Sequence, residues 1–510
     1  MIVEDQKQLV EFLSDPATFG LRGEPVEKIE THISRVFLAG DRAYKTKRAV
    51  KLPYVDFSTP QLRLAACERE LELNTRAAPS LYLAVRRITR KRNGGLEFDG
   101  SGDLVDAAVE MQRFAQECMF DRMAEAGQLT SGLMSETAHE IARYHADAPI
   151  AAGSGAANIA AVLDINEAGF RTSRLYRAAE LEPFFAAFRS AHARLSGDLD
   201  RRAADGKIRR CHGDLHLRNI CLIDGHPCLF DCIEFSDAIA TTDVLYDLAF
   251  LLMDLWHRNL NRLANLVMNR YFDETGDDDG FVLLPFFMAV RASVRAHVLA
   301  TQADEAGGDA ATEALSRRYF RLAGELLGEI EPALIAIGGL SGSGKSTVAE
   351  ALAPQVGAPP GARVLESDRL RKAMHGVRPE TQLPASAYAP EVSQKVYREL
   401  ARHSAEISSK GGTVVADAVF DRPNTRNLIG EAARNSGVRF AGFWLSCEPG
   451  LLHRRIESRV KGPSDADVEI LAAQLARDIG PLEWTVLDAA QPPDQLVGQI
   501  VAAITTPREP

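Results

Sequence analysis

Eight consecutive residues constrain this 510-residue chain more than any others: Gly339-Leu340-Ser341-Gly342-Ser343-Gly344-Lys345-Ser346. They satisfy the G-x-x-x-x-G-K-[ST] pattern in full. The apolar run Ala333-Leu334-Ile335-Ala336-Ile337 leads into them and reads as a buried strand of a parallel sheet. Thr347 to Ala353 reads as the helix that follows. Glycines let the backbone curl so that its N–H groups face inward, and the helix N-terminus adds its positive end. The result is a cradle for phosphate oxygens, built from Gly339, Ser341, Gly342, Ser343, Gly344 and Thr347. In it Lys345 would neutralise the outer phosphates of ATP, and the Ser346 hydroxyl would ligate Mg2+. Short apolar runs at Thr413–Ala416, Arg439–Leu445 and Glu483–Leu487 alternate with helical stretches. That alternation predicts a doubly wound α/β domain with a parallel sheet over 331–510.

The same region holds candidate partners for such a loop. Asp368, in Glu366-Ser367-Asp368-Arg369-Leu370-Arg371, falls just past a second strand. A carboxylate there can take a proton from an attacking hydroxyl, or cap a helix, and the two roles are compatible. Asp417 ends the run Thr413-Val414-Val415-Ala416 and is placed for Mg2+ work or for capping a loop, with Arg422 in the loop that follows. The basic stretch Arg454-Arg455-Ile456-Glu457-Ser458-Arg459 leads into the polar run Lys461 to Asp467. This is what a closing lid requires, with Arg459 the first choice and Arg455 the second for bringing charge to the transferring group. A solvated helix face has the same composition. On these motifs, residues 333–490 resemble the small P-loop kinases related to zeta toxin, gluconate kinase and chloramphenicol phosphotransferase. That resemblance implies phosphorylation of a small molecule or a sugar nucleotide.

A second constellation lies upstream. His212-Gly213-Asp214-Leu215-His216-Leu217-Arg218-Asn219 has the His-x-Asp-Leu-x-x-x-Asn spacing of a kinase catalytic loop. Asp214 can orient a hydroxyl and take its proton, while Asn219 turns back toward Mg2+. A second metal carboxylate is then required shortly downstream, and Leu229-Phe230-Asp231 supplies Asp231. The first 110 residues read as a small β-rich unit with one helix over 60–76. In Ala43-Tyr44-Lys45 the alanine and the lysine share a strand face, which favours Lys45 over Lys47 as the lysine for the inner phosphates. Its helix partner is Glu68 or Glu70, between which spacing does not choose. Glu110-Met111 is the expected hinge whose backbone meets adenine. Residues 25–330 thus resemble the aminoglycoside and choline phosphotransferase family, a two-lobed protein-kinase-like α+β fold. The departures are the missing glycine-rich loop, whose place is taken by Glu30-Thr31-His32-Ile33-Ser34, and Cys232-Ile233 after Asp231.

The expected organisation is a small β-rich lobe over 1–110, a mainly helical lobe with the catalytic loop over 111–330, and a P-loop kinase domain over 331–510. The whole layout resembles bacterial fusions of the two families. It implies a bifunctional, ATP- and Mg2+-dependent phosphotransferase acting on small-molecule hydroxyl groups. The alternatives are a P-loop kinase governed by a non-catalytic sensor half, and a toxin-like enzyme acting on a sugar nucleotide.

Composition narrows the partners. With 59 Lys+Arg against 70 Asp+Glu the net charge is −11, which suits a small substrate better than a nucleic acid. No run of about 18 uninterrupted apolar residues is present, and the first residues lack a signal-peptide pattern, so a cytoplasmic protein without a membrane partner is expected. Seven cysteines read as reduced thiols. Four of them, Cys211, Cys221, Cys228 and Cys232, lie near three histidines but include no Cys-x-x-Cys pair for zinc. Asp237, Asp243, Asp247 and Asp254 are candidates for an acidic pocket, or for solvated and capping roles.

Overall fold

The run Ala333–Gly339 forms the central strand of a five-stranded parallel sheet in a computed structural model that describes residues 3–52, 55–458 and 464–505. The sheet order is Arg363–Glu366, Val414–Asp417, Ala333–Gly339, Arg439–Ser446, Thr485–Asp488, and every pairing is parallel. Ile335 and Ile337 point into a core shared with Val348, Leu352, Leu496 and Ile500 of helices Lys345–Leu352 and Pro493–Thr505. Strand alternation turns Leu334 and Ala336 to the opposite face, where both are also fully buried. A strand covered on both faces reads as a continuous apolar run, which is how this one appears in the sequence.

The chain divides into two compact units: Met1–Asn158 with Leu199–Leu251, and Ile159–Asp198 with Leu252–Pro510. The first contains a six-stranded antiparallel sheet in the order Glu27–Glu30, Ser34–Ala39, Arg42–Lys47, Leu104–Gln112, Tyr82–Arg90, Leu96–Phe98. Helix Pro60–Asn74 packs on it, started by Pro60 at its first turn and by the Thr59 side chain, which accepts from Leu62 N–H. Further on, strands Ile220–Ile223 and His226–Leu229 form a hairpin closed by Asp224-Gly225. Both turn residues have positive φ, 52° and 84°, as a tight two-residue turn between twisted strands requires. The hairpin matters for function because it brings the residues at its two open ends, Asn219 and Asp231, side by side. The Phe230 N–H donates to the Asn219 carbonyl at 3.0 Å.

Among the described residues, one helical stretch, Asp278–Glu305, is long and apolar enough to cross a membrane by length and composition. It is a core helix of the second unit, with 67% of its apolar window buried. Its mixed sequence also explains why no uninterrupted apolar run announces it.

The aspartates after the hairpin are each engaged by partners of their own. Asp243 is buried and takes a two-pronged ion pair from Arg202, Nε–Oδ2 2.7 Å and Nη2–Oδ1 2.8 Å. Asp237 pairs with Arg210 and Arg69, and Asp254 with Arg258. Burying a charge is tolerated only when it is paired, so removing one member leaves the other uncompensated. Arg202→Met is expected to lower the stability of the first unit by about 3–5 kcal/mol. Urea unfolding monitored on the intact chain checks this, and a loss below about 1 kcal/mol would count against the pair.

Candidate active sites

The first candidate site is organised around a carboxylate that water does not reach. Glu70 is fully buried on helix Pro60–Asn74 and receives Lys45 at 2.8 Å on one oxygen and Lys47 at 2.5 Å on the other. Burial pushes the Glu70 carboxyl up, but the two ammonium groups overcome this and hold it down at about 2. Lys45 also contacts Asp231, and Lys47 contacts Glu234. Burial alone would favour the neutral amine of Lys45, yet Asp231 and Glu70 raise its pKa well above the ordinary value. The structure thus brings Lys45, Glu70 and Asp231 together. Glu68 points to solvent, off this cluster. The buried face of the helix is Arg63, Cys67, Glu70, Leu73 and Asn74. Of the helical spacing Leu62, Ala65, Ala66, Arg69 and Leu73 in the sequence, only Leu73 lies on that buried face, because the helix buries polar groups that the ion-pair network needs.

The catalytic-loop candidates lie beside this cluster. Asn219 donates through Nδ2 to the Asp214 carbonyl at 2.8 Å and to Asp214 Oδ2 at 2.9 Å. His216 Nε2 lies 3.3 Å from Asp214 Oδ2. Asp231 adopts a left-handed backbone conformation, φ 60°, and its N–H donates to Tyr82 Oη at 3.1 Å. Such a conformation in a non-glycine residue costs energy and is held here by contacts on both sides of the chain. The expected hinge differs in detail. Glu110 and Met111 lie inside the strand Leu104–Gln112, paired with neighbours on both sides, and the Glu110 carboxylate accepts from Tyr44 Oη and Arg86. The ladder ends only at Gln112.

What holds the loop is Asp247. Fully buried in helix Val244–His257, it accepts the Gly213 N–H at 2.8 Å on Oδ1, and on Oδ2 the His212 N–H and His145 Nε2, both at 3.1 Å. Burial lowers the His212 pKa, and its Nε2 lies 2.9 Å from the Phe230 carbonyl. His145, Cys211 and Asp247 each place a potential ligand atom within 4.8 Å of the others, but both Asp247 oxygens are already committed to backbone N–H groups. The cysteine cluster does not assemble into a zinc site, since Cys221 and Cys228 face each other across the hairpin while Cys211 sits with His145. None of the seven cysteines is in a disulfide.

The second candidate site is the phosphate loop. Gly339 has φ 144° and no room for a side chain, because a Cβ there would stand 2.6 Å from the Leu445 carbonyl oxygen. Gly344 has φ 88° and precedes helix Lys345–Leu352. Lys345 Nζ donates back to the Leu340 carbonyl at 3.2 Å, and Ser346 Oγ donates to Asp417. The Ser341 N–H is held by Gln474 Oε1 at 2.9 Å. Ser343 Oγ is buried without a hydrogen-bond partner, a polar group left over for a ligand in a loop whose composition suits phosphate. Burial raises the Asp417 carboxyl to about 6 against the pull of Lys345 and the Ser346 hydrogen bond. Burial likewise raises Glu366, against Arg369.

Two cavities meet here. One of about 400 Å³ is lined by the phosphate loop, Thr347, Asp417 and Arg455, and the other, of about 840 Å³, by polar side chains including Arg371, Tyr388, Arg422 and Gln474. Ser341, Ser367, Asp368, Val419 and Ser464 border both. Arg455 Nη2 donates to the Ala489 carbonyl at 3.0 Å. Arg459, the first choice for the lid arginine, lies outside the described residues. Next to that segment Asp465 accepts from Lys372 at 2.9 Å, Tyr388 Oη at 2.6 Å and the Leu383 N–H at 3.0 Å, fixing one wall of the larger cavity. Sequence reasoning ranked Lys47 behind Lys45 without giving it a role of its own, missed Glu234, Gln474 and this clamp, and offered Asp247 only for a pocket. Asp247 did leave a signal: a lone carboxylate in the apolar helix Val244-Leu245-Tyr246-Asp247-Leu248-Ala249 must have buried donors waiting for it.

Comparison with known proteins matches the catalytic-loop region and the phosphate-loop region to families. Residues 102–280 match the family described as Phosphotransferase enzyme family, and residues 334–478 match one described as AAA domain. The uncharacterized protein Rv2004c of Mycobacterium tuberculosis H37Rv is 30% identical over 497 residues, covering 92% of this chain and 93% of that one. A choline/ethanolamine kinase family protein from Mesorhizobium loti is 14% identical, covering 63% of this chain and 94% of its own, with a TM-score of 0.39. A gluconokinase from Sinorhizobium meliloti 1021 is 24% identical, covering 34% and 91%, with a TM-score of 0.25. The chain thus joins an aminoglycoside/choline phosphotransferase-like domain to a P-loop kinase domain.

Asp247→Asn replaces one of two acceptors with a donor facing N–H groups. It is expected to cost about 1–3 kcal/mol and to speed exchange of the His212 and Gly213 amides. Hydrogen exchange on the intact protein reads both, and unchanged protection at these two amides would refute the assignment.

Proposed function

Since the chain belongs to the same family as the Mycobacterium tuberculosis protein Rv2004c and carries two kinase-type domains, we propose that it is a bifunctional phosphotransferase with two Mg·ATP sites, each transferring the γ-phosphate to a small-molecule hydroxyl. The lobes are 1–110 and 111–330, and the second kinase is 331–510. The observation that carries this reading furthest is the position of Asp368 on the border between the phosphate-loop cavity and the larger polar cavity. A base placed there faces phosphate on one side and an acceptor on the other.

In the P-loop site the loop N–H groups and Lys345 hold the phosphate tail, and Asp368 accepts the proton of the acceptor hydroxyl as its oxygen bonds to the γ-phosphorus and the bond to the bridging oxygen breaks. In the kinase-like site Lys45, braced by Glu70, meets the inner phosphates, and Asp214 takes the acceptor proton. Ser346 and Asp417 in one site, and Asn219 and Asp231 in the other, are the residues that would hold Mg2+. When bound, the ion neutralises charge on the phosphate oxygens. The assembled cluster of Lys45, Glu70 and Asp231 favours a catalytic first site over a purely sensory one.

Separate variants divide the two activities. Asp214→Asn and Lys345→Ala are each expected to lower transfer at their own site by about 10²-fold or more, in a product screen over sugars, aminoglycosides and sugar nucleotides. If Asp214→Asn leaves every transfer unchanged while Lys345→Ala abolishes it, the first half is a sensor. A pH effect follows from Asp417. Its folded pKa is raised to about 6, so the protonated form is favoured below that value and competes with the metal. Mg2+ affinity at the P-loop site should therefore rise as pH increases through about 6. Metal-free protein should lose this carboxyl's contribution to stability over the same interval. Calorimetric Mg2+ titration of an Asp231→Asn chain, in which the other site is disabled, tests the first expectation, and an affinity flat across that interval would exclude Asp417 as a ligand.

A further inference from the structure

The P-loop sheet is not completed by its own segment. Its outermost strand, Arg363–Glu366, pairs on one side with Val414–Asp417. On the other side, within the second compact unit, lies helix Asn261–Thr275, which belongs to the stretch matching the phosphotransferase family. Two buried amides there serve the free edge. Asn269 Oδ1 accepts the Val364 N–H at 2.8 Å, and Asn265 Nδ2 donates to the Pro360 and Ala362 carbonyls, both at 3.0 Å. These side chains supply the bonds that a sixth strand would otherwise make.

Beside them is Arg270, only 7% exposed. One Nη pairs with Glu350 on the phosphate-loop helix Lys345–Leu352. The other lies 3.8 Å from Glu366 and 3.3 Å from Asp273. Glu366 ends the edge strand, two residues before Asp368, and its other guanidinium partner is Arg369 at 3.1 Å. Arg270 thus stands between the helix that carries Lys345 and the strand end that delivers Asp368. Without it, Glu350 on the phosphate-loop helix and Glu366 at the strand end would each lose a guanidinium partner, and the tie that holds the two elements in register would be gone.

We propose that Arg270 is a positioning residue for transfer at the P-loop site, setting the distance between the phosphate grip and the acceptor base from a helix outside the P-loop segment. This rests on the reading of Asp368 as that base. A misplacement of about 1 Å at such a distance costs up to about 10²-fold in rate.

The test uses the full chain with Arg270→Ala, Arg270→Lys and Glu350→Gln. Arg270→Ala is expected to lower the Lys345-dependent kcat by about tenfold or more, to change KM for ATP by less than about threefold, and to speed amide exchange across 364–370. Arg270→Lys should recover part of the rate by restoring the charge. Should Arg270→Ala fail to fold, Glu350→Gln removes one arm at a partly exposed site and should show the same kcat loss and exchange change in smaller measure. Unchanged exchange across 364–370 in the folded variants overturns the proposal whatever the activity. So does an unchanged kcat. A wild-type chain with no Lys345-dependent transfer would instead overturn the P-loop reading, and the exchange measurement would still judge Arg270.

Discussion

Glu70 is a carboxylate with no access to water, and much of the first unit is arranged to make that tolerable. A buried charge of one sign calls for the other sign at hydrogen-bond distance, and two lysines of strand Arg42–Lys47 provide it. Each lysine then needs a second carboxylate, which Asp231 and Glu234 supply. One helix, one strand and the segment after the hairpin are thereby drawn to a single point. The backbone of Asp231 is held in an uncommon conformation there, and its carboxylate stays partly open on the site side. Stability and chemistry use the same groups, so the site has little freedom to be placed elsewhere.

The phosphate loop solves a related problem with backbone instead of side chains. Its glycines accept conformations closed to other residues, and the loop presents N–H groups that strands and helices normally consume. Gln474 occupies one of these N–H groups and Asp417 takes the Ser346 hydroxyl, so the loop is braced from two other elements. The two sites therefore reach a similar end by different means: one by packing charges, the other by shaping the main chain.

Legibility in the sequence followed the same division. Motifs that depend on local chain geometry were plain. The Gly339–Ser346 loop, the spacing of Asn219 and Asp231, and the parallel strands all rest on short-range patterns, and the structure bears out the loop and the strands while joining Asn219 to Asp231 by a hairpin that was not read in advance. Choices that depend on which face a helix buries were not. Glu68 and Glu70 differ by 200° around a helix, yet the spacing Leu62, Ala65, Ala66, Arg69 and Leu73 shares only Leu73 with the face buried, because Arg63, Glu70 and Asn74 are polar residues that go inside. Glu234 was invisible, and Lys47 stood only as second to Lys45, for the same reason: in a linear reading a charge looks solvated until its partner, here 187 positions away, is known. The Asp465 clamp and the Gln474 contact join segments far apart in sequence, and only folding reveals them.

The amides of Asn265 and Asn269 carry a consequence for how the chain can be divided. They close the edge of strand Arg363–Glu366 from a helix that lies before the P-loop segment, some ninety residues ahead of that strand in sequence. A fragment beginning near Ala333 would keep every residue of the phosphate loop, yet its outer strand would offer bare N–H and carbonyl groups to the first extended peptide it met. Such a fragment would be prone to self-association, and cutting where the motifs suggest would separate the phosphate loop from the piece that covers its sheet's edge.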